Sequence, residues 1–190
     1  MIDRKPIVSE SEAPPGTVAQ HVGGRERMTK YAGTRAAVVV AAGDISLAIA
    51  KRLAEGGARV VLTADTEAGR AEARAEVGSA AQAVAPAEIA TALEGQRIDF
   101  LFTDAVAGTS PLLPHLHDGG AVVLTTPTPA ETVLALVGTL ADRRIRVNAV
   151  APVASRGRAE EVARVALFLA TEATCTTGAH VPVDGGLNHR

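Results

Sequence analysis

The chain has 190 residues, of which 47% are hydrophobic, and a formal net charge of −2 at pH 7. This composition supports a single domain with a sizeable core, and the scattered basic residues argue against a nucleic-acid partner. The single cysteine, Cys175, excludes a disulfide framework and a thiolate metal site and favours the cytoplasm. No apolar run reaches the length of a membrane span, so we expect no membrane contact.

Residues 1–34 predict an irregular N-terminal extension. They contain Pro14, Pro15 and several glycines, and their apolar residues show no sustained periodicity. We expect a flexible or draped arm here, followed by one domain over residues 35–190.

From residue 35 onward, apolar runs of strand length alternate with helical patterns. The first strand, RAAVVVAA, is followed by a helix with apolar residues at helical spacing and a glycine pair at its end. These residues are Ile45, Ala48, Ile49, Leu53, Gly56 and Gly57. Further strands are predicted at ARVVLTA, AAQAV, IDFLFTD, GAVVLTT, IRVNAVAP and AHVPVD, and further helices at EAGRAEARAEV, PAEIATALEG, 130–141 and 159–171. This alternation predicts an α/β fold, a doubly wound parallel sheet of Rossmann type with helices on both faces.

Four segments together resemble the short-chain dehydrogenase/reductase family. They are AIAKRLAEGGARVVLTAD, RIRVNAVAP, EEVARVALFLATEA and TGAHVPVDGGL, and the resemblance covers most of residues 36–187. It implies a Rossmann sheet, a nicotinamide cofactor (NAD or NADP) and a Ser-Tyr-Lys reaction centre. The chain looks like a shortened, divergent member, so each of these features has to be sought residue by residue.

The turn after the first strand departs from the family pattern. The family's glycines fall on Val40, Asp44 and Ser46, although glycine lets backbone N–H groups at a helix N-terminus approach a pyrophosphate. Gly43 and Ile45 complete the candidate cofactor turn, and Ser46 offers a hydroxyl. The Asp44 carboxylate would face the phosphates, and its other interpretation is a helix N-cap contributing about 1 kcal/mol.

Two further positions bear on the cofactor. Asp65, at the end of the second strand, stands where an acidic residue holds the adenosine ribose, which favours NAD over NADP. A solvated aspartate at the start of the next helix explains Asp65 equally well. The family's Asn-Asn-Ala-Gly after the fourth strand corresponds to residues 103–106, where Thr103 and Asp104 replace the asparagines.

The residues needed for hydride transfer are missing from their expected positions. Family members use a tyrosine hydroxyl as the acid, a lysine four residues later and a serine that binds the carbonyl. The only tyrosine here is Tyr31, before the first strand, and the only lysines are Lys5, Lys30 and Lys51. None of these residues forms the required pair.

The matched positions carry other side chains. The tyrosine and lysine positions fall on Thr126 and Ala130, and a hydroxyl survives at the serine position only as Thr125 or Thr126. The segment 127–144 is too short for an active-site loop and a long catalytic helix, and 153–158 is too short for a lid over substrate. We therefore expect no hydride transfer of the family's kind.

Other chemistry at the strand ends stays open. Thr125, Thr126 and Asp104 are the candidates for a non-redox step, with Thr128 and Ser155 nearby. His115 and His117 form a His-x-His pair, but it leads into the start of a strand, so surface or structural roles are favoured over a metal site.

The predicted helix 130–141 is apolar around most of its circumference. Its apolar residues are Val133, Leu134, Leu136, Val137 and Leu140. Such a helix is buried on more than one side, either within the monomer or against another chain, and we favour the second. In the family, the same elements build subunit interfaces.

Three hypotheses remain. The first is a non-catalytic or regulatory subunit in a homo-oligomer or in a hetero-oligomer with an active reductase of this family. The second is a module that binds a dinucleotide or another small molecule without chemistry. The third is an enzyme, either an NAD(P)-dependent oxidoreductase with atypical residues or a catalyst of cyclisation or dehydration. We favour the first.

Overall fold

A computed structural model describes residues 30–39, 43–93, 95–152 and 159–186. In this part of the chain, seven strands form one parallel sheet in the order β3-β2-β1-β4-β5-β6-β7. The strands are β1 Arg35–Val39, β2 Arg59–Thr63, β3 Ala81–Val84, β4 Ile98–Thr103, β5 Leu116–Leu124, β6 Arg146–Pro152 and β7 His180–Val183. The helices are α1 Asp44–Glu55, α2 Glu67–Val77, α3 Ile89–Ala92, α4 Ala130–Leu140 and α5 Ala159–Thr171.

The helices cover both faces of the sheet. Helices α1, α2 and α5 pack with one set of buried strand residues, and α3 and α4 pack with the other. Alternate residues along each strand therefore face different layers, as the β6 neighbours Ala149 and Val150 do. This arrangement confirms the predicted α/β, Rossmann-like fold with a doubly wound parallel sheet.

The boundaries differ from the predictions at a few places. Strand β1 was predicted to run to residue 42, but it ends at Val39, and residues 40–42 lie outside the described part. The helix predicted from Pro86 to Gly95 is a 3₁₀ turn followed by the single helical turn α3. Between β4 and β5 the described chain forms 3₁₀ turns, Val106–Gly108 and Leu113–His115, and no α-helix.

Strand β6 holds α5 through Arg146. Its guanidinium donates hydrogen bonds to the carbonyl oxygens of Leu169 (2.6 Å), Ala170 (2.6 Å) and Ala173 (3.1 Å). Leu169 and Ala170 lie in the last turn of α5 and Ala173 two residues beyond it, where intrahelical N–H partners run out and a positive charge is favourable. Burial lowers the pKa of Arg146 from its ordinary value, yet arginine stays charged in proteins.

Asn148 fastens β6 to the segment before β7. The side chain is fully buried, its amide nitrogen donates to the carbonyl of Thr176 at 3.0 Å, and its oxygen accepts from the backbone N–H of Ala179 at 3.0 Å. The motif RIRVNAVAP therefore contributes two residues whose contacts secure the last helix and the last strand.

Helix α4 is only partly covered. Val133 and Leu140 are buried, Leu136 and Val137 are half-buried against the core, and Leu134 is 58% exposed. The predicted burial of a second side is not met within the described chain, and burial of that side against another chain stays a prediction.

The residues before β1 pack against the domain. Tyr31 donates its backbone N–H to the carbonyl of Gly56 at 2.7 Å, and its ring lies so close to Gly56 that a Cβ atom there would meet it at 2.2 Å. The predicted extension ends where β1 begins, but residues 1–29 lie outside the described part. None of the described helices is long and apolar enough to span a lipid bilayer.

Candidate functional site

The strand order reverses between β1 and β4, which both lie at the centre of the sheet. In open parallel sheets, ligands bind outside the carboxyl ends of the strands at such a reversal. The candidate residues that follow β1, β2, β4 and β5 therefore share one edge of the sheet, which we call the carboxyl edge.

Helix α1 starts at the carboxyl edge and carries the candidate cofactor turn. Its N-cap is Gly43, in an extended conformation with φ −159° and ψ 153°, and Asp44 is the first helical residue. The interpretation of Asp44 as the N-cap is therefore wrong. Glycine takes the cap, and the Asp44 carboxylate instead contributes a favourable charge in the first turn of the helix.

The first turn of α1 has polar groups for which the described residues provide no partner. The N–H groups of Ser46 and Leu47 both donate to the Gly43 carbonyl, at 3.1 and 3.3 Å, whereas those of Asp44 and Ile45 precede the first intrahelical bond. The Ser46 hydroxyl is buried, with the residue 6% exposed, and it has no hydrogen-bond partner among the described residues. Hydrogen-bonding capacity is thus concentrated at this helix end.

The Asp44 side chain lies to the side of the helix end. It lines a groove of about 270 Å³ between α1, α2 and α5, together with Leu47 and Lys51, which follow it at one and two turns along α1. Glu72 and Glu160 line the same groove. The carboxylate is exposed, so solvent screens its charge from a phosphate placed on the helix axis.

Asp65 is exposed just beyond β2 and does not start the next helix. Thr66 is the N-cap of α2, and its hydroxyl oxygen accepts from the Gly69 N–H at 3.1 Å. The alternative explanation of Asp65 as the residue that starts α2 is therefore wrong. Its proposed role as a ribose ligand stays a prediction.

Arg70 lies close to Asp65, and the sequence analysis did not identify it as a candidate. Its guanidinium donates to the carbonyls of Ala64 (2.9 Å) and Asp65 (3.4 Å) and pairs with Glu67. Hydrogen bonds from Arg74 and then Arg70 lower the pKa of the Glu67 carboxyl. The signal was available as a basic residue one turn into the helix that follows Asp65.

The two hydroxyls nearest the centre of the carboxyl edge are used within the fold. Thr103, fully buried at the end of β4, accepts from the Ala105 N–H and donates to the Ala105 carbonyl. Thr125, 4% exposed after β5, donates both its N–H (2.8 Å) and its hydroxyl (3.3 Å) to the Thr103 carbonyl. Thr125 therefore joins the ends of β4 and β5, and its proton is committed to that contact.

Thr126 and Asp104 are the accessible members of the candidate set. Both are half-buried and follow the neighbouring strands β4 and β5, and Asp104 interacts with another group of the protein. The buried Thr128 donates its hydroxyl to the Thr126 carbonyl at 3.0 Å, which fixes the turn that enters α4. Ser155 lies outside the described residues.

The only tyrosine and the described lysines lie away from this set. Tyr31 packs on Gly56, at the C-terminal end of α1 and so at the opposite edge of the sheet. Lys30 pairs with Glu172 after α5, a hydrogen bond that raises the pKa of Lys30, and Lys51 lies 3.8 Å from Glu76 of α2. Ala130 is the first residue of α4, so the position matched to the catalytic lysine bears a methyl group.

The histidine pair also lies at the opposite edge. His115 ends the 3₁₀ turn before β5, with its Nδ1 atom 3.4 Å from the Gln96 carbonyl, and His117 is the second residue of β5. Among the described residues, no group of three or more potential ligand side chains is arranged to hold a metal ion.

The sheet order, the reversal point and the helix that begins there define a Rossmann-type protein. No protein-family model and no curated protein matches the sequence. Solved structures do match, among them 3-ketoacyl-(acyl-carrier-protein) reductase from Brucella melitensis complexed with NADH. That structure is 25% identical over 82% of this chain and 98% of its own, with a TM-score of 0.68.

Two other solved structures show the same likeness. A short-chain dehydrogenase/reductase from Serratia marcescens is 21% identical over 83% of this chain and 98% of its own, with a TM-score of 0.69. A short-chain type dehydrogenase/reductase from Mycobacterium marinum is 19% identical over 84% and 96%, with a TM-score of 0.68. This chain therefore has the short-chain dehydrogenase/reductase fold, as its sequence motifs predicted.

Proposed function

We propose that this chain is a non-catalytic protein with the short-chain dehydrogenase/reductase fold, acting as a subunit of an oligomer formed with itself or with an active reductase. The observation that carries the proposal is the position of Tyr31. A reductase of this type needs a phenol as proton donor beside a lysine. The only phenol of the chain packs on Gly56, at the edge opposite the candidate site.

The hydroxyls at the candidate site do not replace that donor. Thr125 is buried and bonded to Thr103, and Thr126 is an alcohol beside which neither of the described lysines, Lys30 and Lys51, lies. The structural neighbours named above include reductases, so activity would be expected of the fold. The residues of this chain argue against that activity.

The test is an assay of NADH and NADPH oxidation by the full chain against ketones and enoyl thioesters. We expect no turnover above a heat-inactivated sample. Turnover well above that control, lost in Thr126→Val, would overturn the proposal and identify Thr126 as part of an unrecognised proton path.

A second candidate is a module that binds NAD or NADP without chemistry, and the Ser46 hydroxyl favours it. A buried hydroxyl without a partner costs about 1–3 kcal/mol unless something pairs with it. The Gly43 turn, the N–H groups of Asp44 and Ile45, and this hydroxyl fit a phosphate group at the N-terminus of α1. Bound there, a dinucleotide would supply a hydride carrier, but the part of the site that the structure describes places no phenol and no lysine beside it.

Calorimetry with NADH and NADPH tests this candidate. Ser46→Ala should weaken dinucleotide binding at least about threefold while leaving folding stability unchanged or raised, since the lost hydroxyl has no hydrogen-bond partner among the described residues. Asp44→Asn should strengthen binding by less than about threefold, because the carboxylate is exposed and lies to the side. No measurable affinity of the unaltered chain at millimolar dinucleotide would remove this candidate.

Asp65 bears on the choice between the two dinucleotides. Its exposed carboxylate would accept hydrogen bonds from a ribose and repel a 2′-phosphate, while the nearby Arg70 is already bonded to Glu67 and two carbonyls. NADH is therefore expected to bind more tightly than NADPH if either binds.

A further inference from the structure

One face of the sheet is incompletely covered where β2 and β3 begin, which we call the β2–β3 corner. A row of register partners crosses this face through Gln82 on β3, Val61 on β2, Ala37 on β1, Leu101 on β4, Val122 on β5 and Val147 on β6. The four members on β1, β4, β5 and β6 are 0% exposed, whereas Val61 is half-buried and Gln82 is exposed. On this side of β2 the described chain supplies only the single helical turn α3. The covering layer therefore ends before it reaches the edge of the sheet.

A groove of about 620 Å³ opens at this corner. Val61, Ala80 and Gln82 line it, and Glu55 and Arg59 lie at its side. Each polar side chain that lines the groove in the described chain is exposed. A small-molecule site usually has a few precisely placed polar groups inside an enclosing cavity. An open groove with apolar residues and exposed polar ones is better suited to a segment of polypeptide.

The described chain begins beside this groove. The Tyr31 N–H donates to the Gly56 carbonyl at 2.7 Å, and a Cβ atom built on Gly57 would lie 3.5 Å from the Cα atom of Ala32. Gly57 itself lines the groove. Residues 1–29 precede these contacts, and at about 3.3 Å per extended residue a few of them are enough to cross the corner.

Two exposed charges of the groove have no ion-pair partner among the described residues. They are Glu55 and Arg59. The segment that precedes the described chain carries the alternating charges Arg25, Glu26 and Arg27. Placing Glu26 beside Arg59 brings a neighbouring arginine towards Glu55. Exposed pairs of this kind fix the alignment of the segment and add little affinity.

The same segment contains apolar side chains that can cover Val61. They are Val18, Val22 and Met28, and burying apolar surface is the favourable term in such a contact. Because the segment is joined to the domain next to the groove, its effective concentration there is in the millimolar range. A contact too weak to hold a second copy of the chain is therefore strong enough to hold this segment.

From these observations we infer that residues 18–29 dock in the groove at the β2–β3 corner of their own chain, with apolar side chains over Val61 and with Glu26 beside Arg59. The segment completes the layer that α3 leaves short. This gives the N-terminal extension a role of its own, separate from the candidate site at the carboxyl edge and from the proposed function.

Photo-cross-linking of the full chain tests this placement. A benzophenone is attached to Gln82→Cys or, as the matched control, to His180→Cys, each combined with Cys175→Ser to remove the natural thiol. Gln82 and His180 are exposed residues of the two edge strands, β3 and β7. We expect cross-links from position 82 to residues 18–29, at least about fivefold more frequent than those from position 180. Mixing isotopically labelled and unlabelled chains shows whether a cross-link joins one copy or two.

Charge reversal provides a second test. Arg59→Glu should reduce cross-linking from position 82 about threefold, and adding Glu26→Arg should restore it. In Arg59→Glu, trypsin should also cleave after Arg25 and Arg27 about threefold faster, because cleavage follows the undocked fraction. The control Arg164→Glu reverses an exposed charge on α5 and should change neither measurement.

Several outcomes would overturn the inference. They are equal cross-linking from positions 82 and 180, cross-links that join two different copies, and equal effects of Arg59→Glu and Arg164→Glu. Failure of Glu26→Arg to restore cross-linking would refute the stated alignment. Turnover of NADH or NADPH by the chain would refute the proposed function and leave this placement standing, whereas an inactive chain without these cross-links would do the reverse.

Discussion

Helices α4 and α5 have similar apolar composition, but the domain holds them in different ways. Helix α5 buries one broad side, and carbonyls in and just after its last turn accept three hydrogen bonds from Arg146. Helix α4 buries Val133 and Leu140, and its N-cap is Pro129 without a side-chain hydrogen bond. Each helix leaves one large apolar side chain exposed, Leu134 on α4 and Phe168 on α5. Composition alone would not have separated them, because the difference lies in what each helix touches.

The contrast between α5 and α4 also distinguishes the parts of the chain that resemble the reductases from the parts that do not. The matched motifs around β6, α5 and β7 supply Arg146 and Asn148, whose contacts secure the framework. The positions matched to the catalytic pair fall on Thr126 and on Ala130 at the start of α4. The resemblance is thus carried by residues with structural roles, and it ends where the chemistry would begin.

The largest expected effect comes from breaking the contact that holds α5. Arg146→Met keeps the aliphatic volume but leaves three partly buried carbonyls without their donor. We expect the free energy of unfolding to fall by about 2–4 kcal/mol, measured by urea denaturation. The control variant Arg164→Met changes an exposed arginine on α5. Its free energy of unfolding should stay within about 0.5 kcal/mol of the unaltered chain. Equal losses in both variants would show that Arg146 does not hold the helix.

The next effect concerns β7, which Asn148 fastens to β6. Asn148→Ala removes two hydrogen bonds and leaves the Thr176 carbonyl and the Ala179 N–H without side-chain partners. We expect a loss of about 2–3 kcal/mol. Hydrogen exchange should become faster at His180–Val183 while β3, at the other end of the sheet order, stays unchanged. Uniformly faster exchange would mean that Asn148 stabilises the whole domain and not only the edge strand β7.

The sequence allowed the fold to be predicted well, because most of the strands contain a short apolar run and helical patterns separate several of them. Strand β6, for example, was predicted as IRVNAVAP and is observed over Arg146–Pro152. The start of α1 was misplaced by one residue, because aspartate and glycine are both acceptable N-caps and only the backbone decides between them.

The candidate site was less predictable, because its contacts are long-range. The Thr125 hydroxyl donates to the Thr103 carbonyl because β4 pairs with β5, and no local sequence pattern reveals that pairing. The unpartnered Ser46 hydroxyl likewise depends on what surrounds it in space. For α4, a helix apolar nearly all round has no periodicity to orient it, so the outward position of Leu134 required the structure.

The smallest expected effect compares two threonines that occupy equivalent places in the two helices. Thr139 of α4 and Thr171 of α5 each donate a hydroxyl to the carbonyl four residues earlier, at 2.9 and 2.8 Å. Thr139 is exposed, so Thr139→Ala exchanges a weak local bond for better helix propensity and should stabilise the monomer by about 0.5 kcal/mol. Thr171 is half-buried beside the carbonyls that Arg146 holds, so Thr171→Ala should be neutral or cost up to about 1 kcal/mol. Urea denaturation at a protein concentration too low for dimers measures both, and effects of the same sign would mean that the two helix ends are held alike.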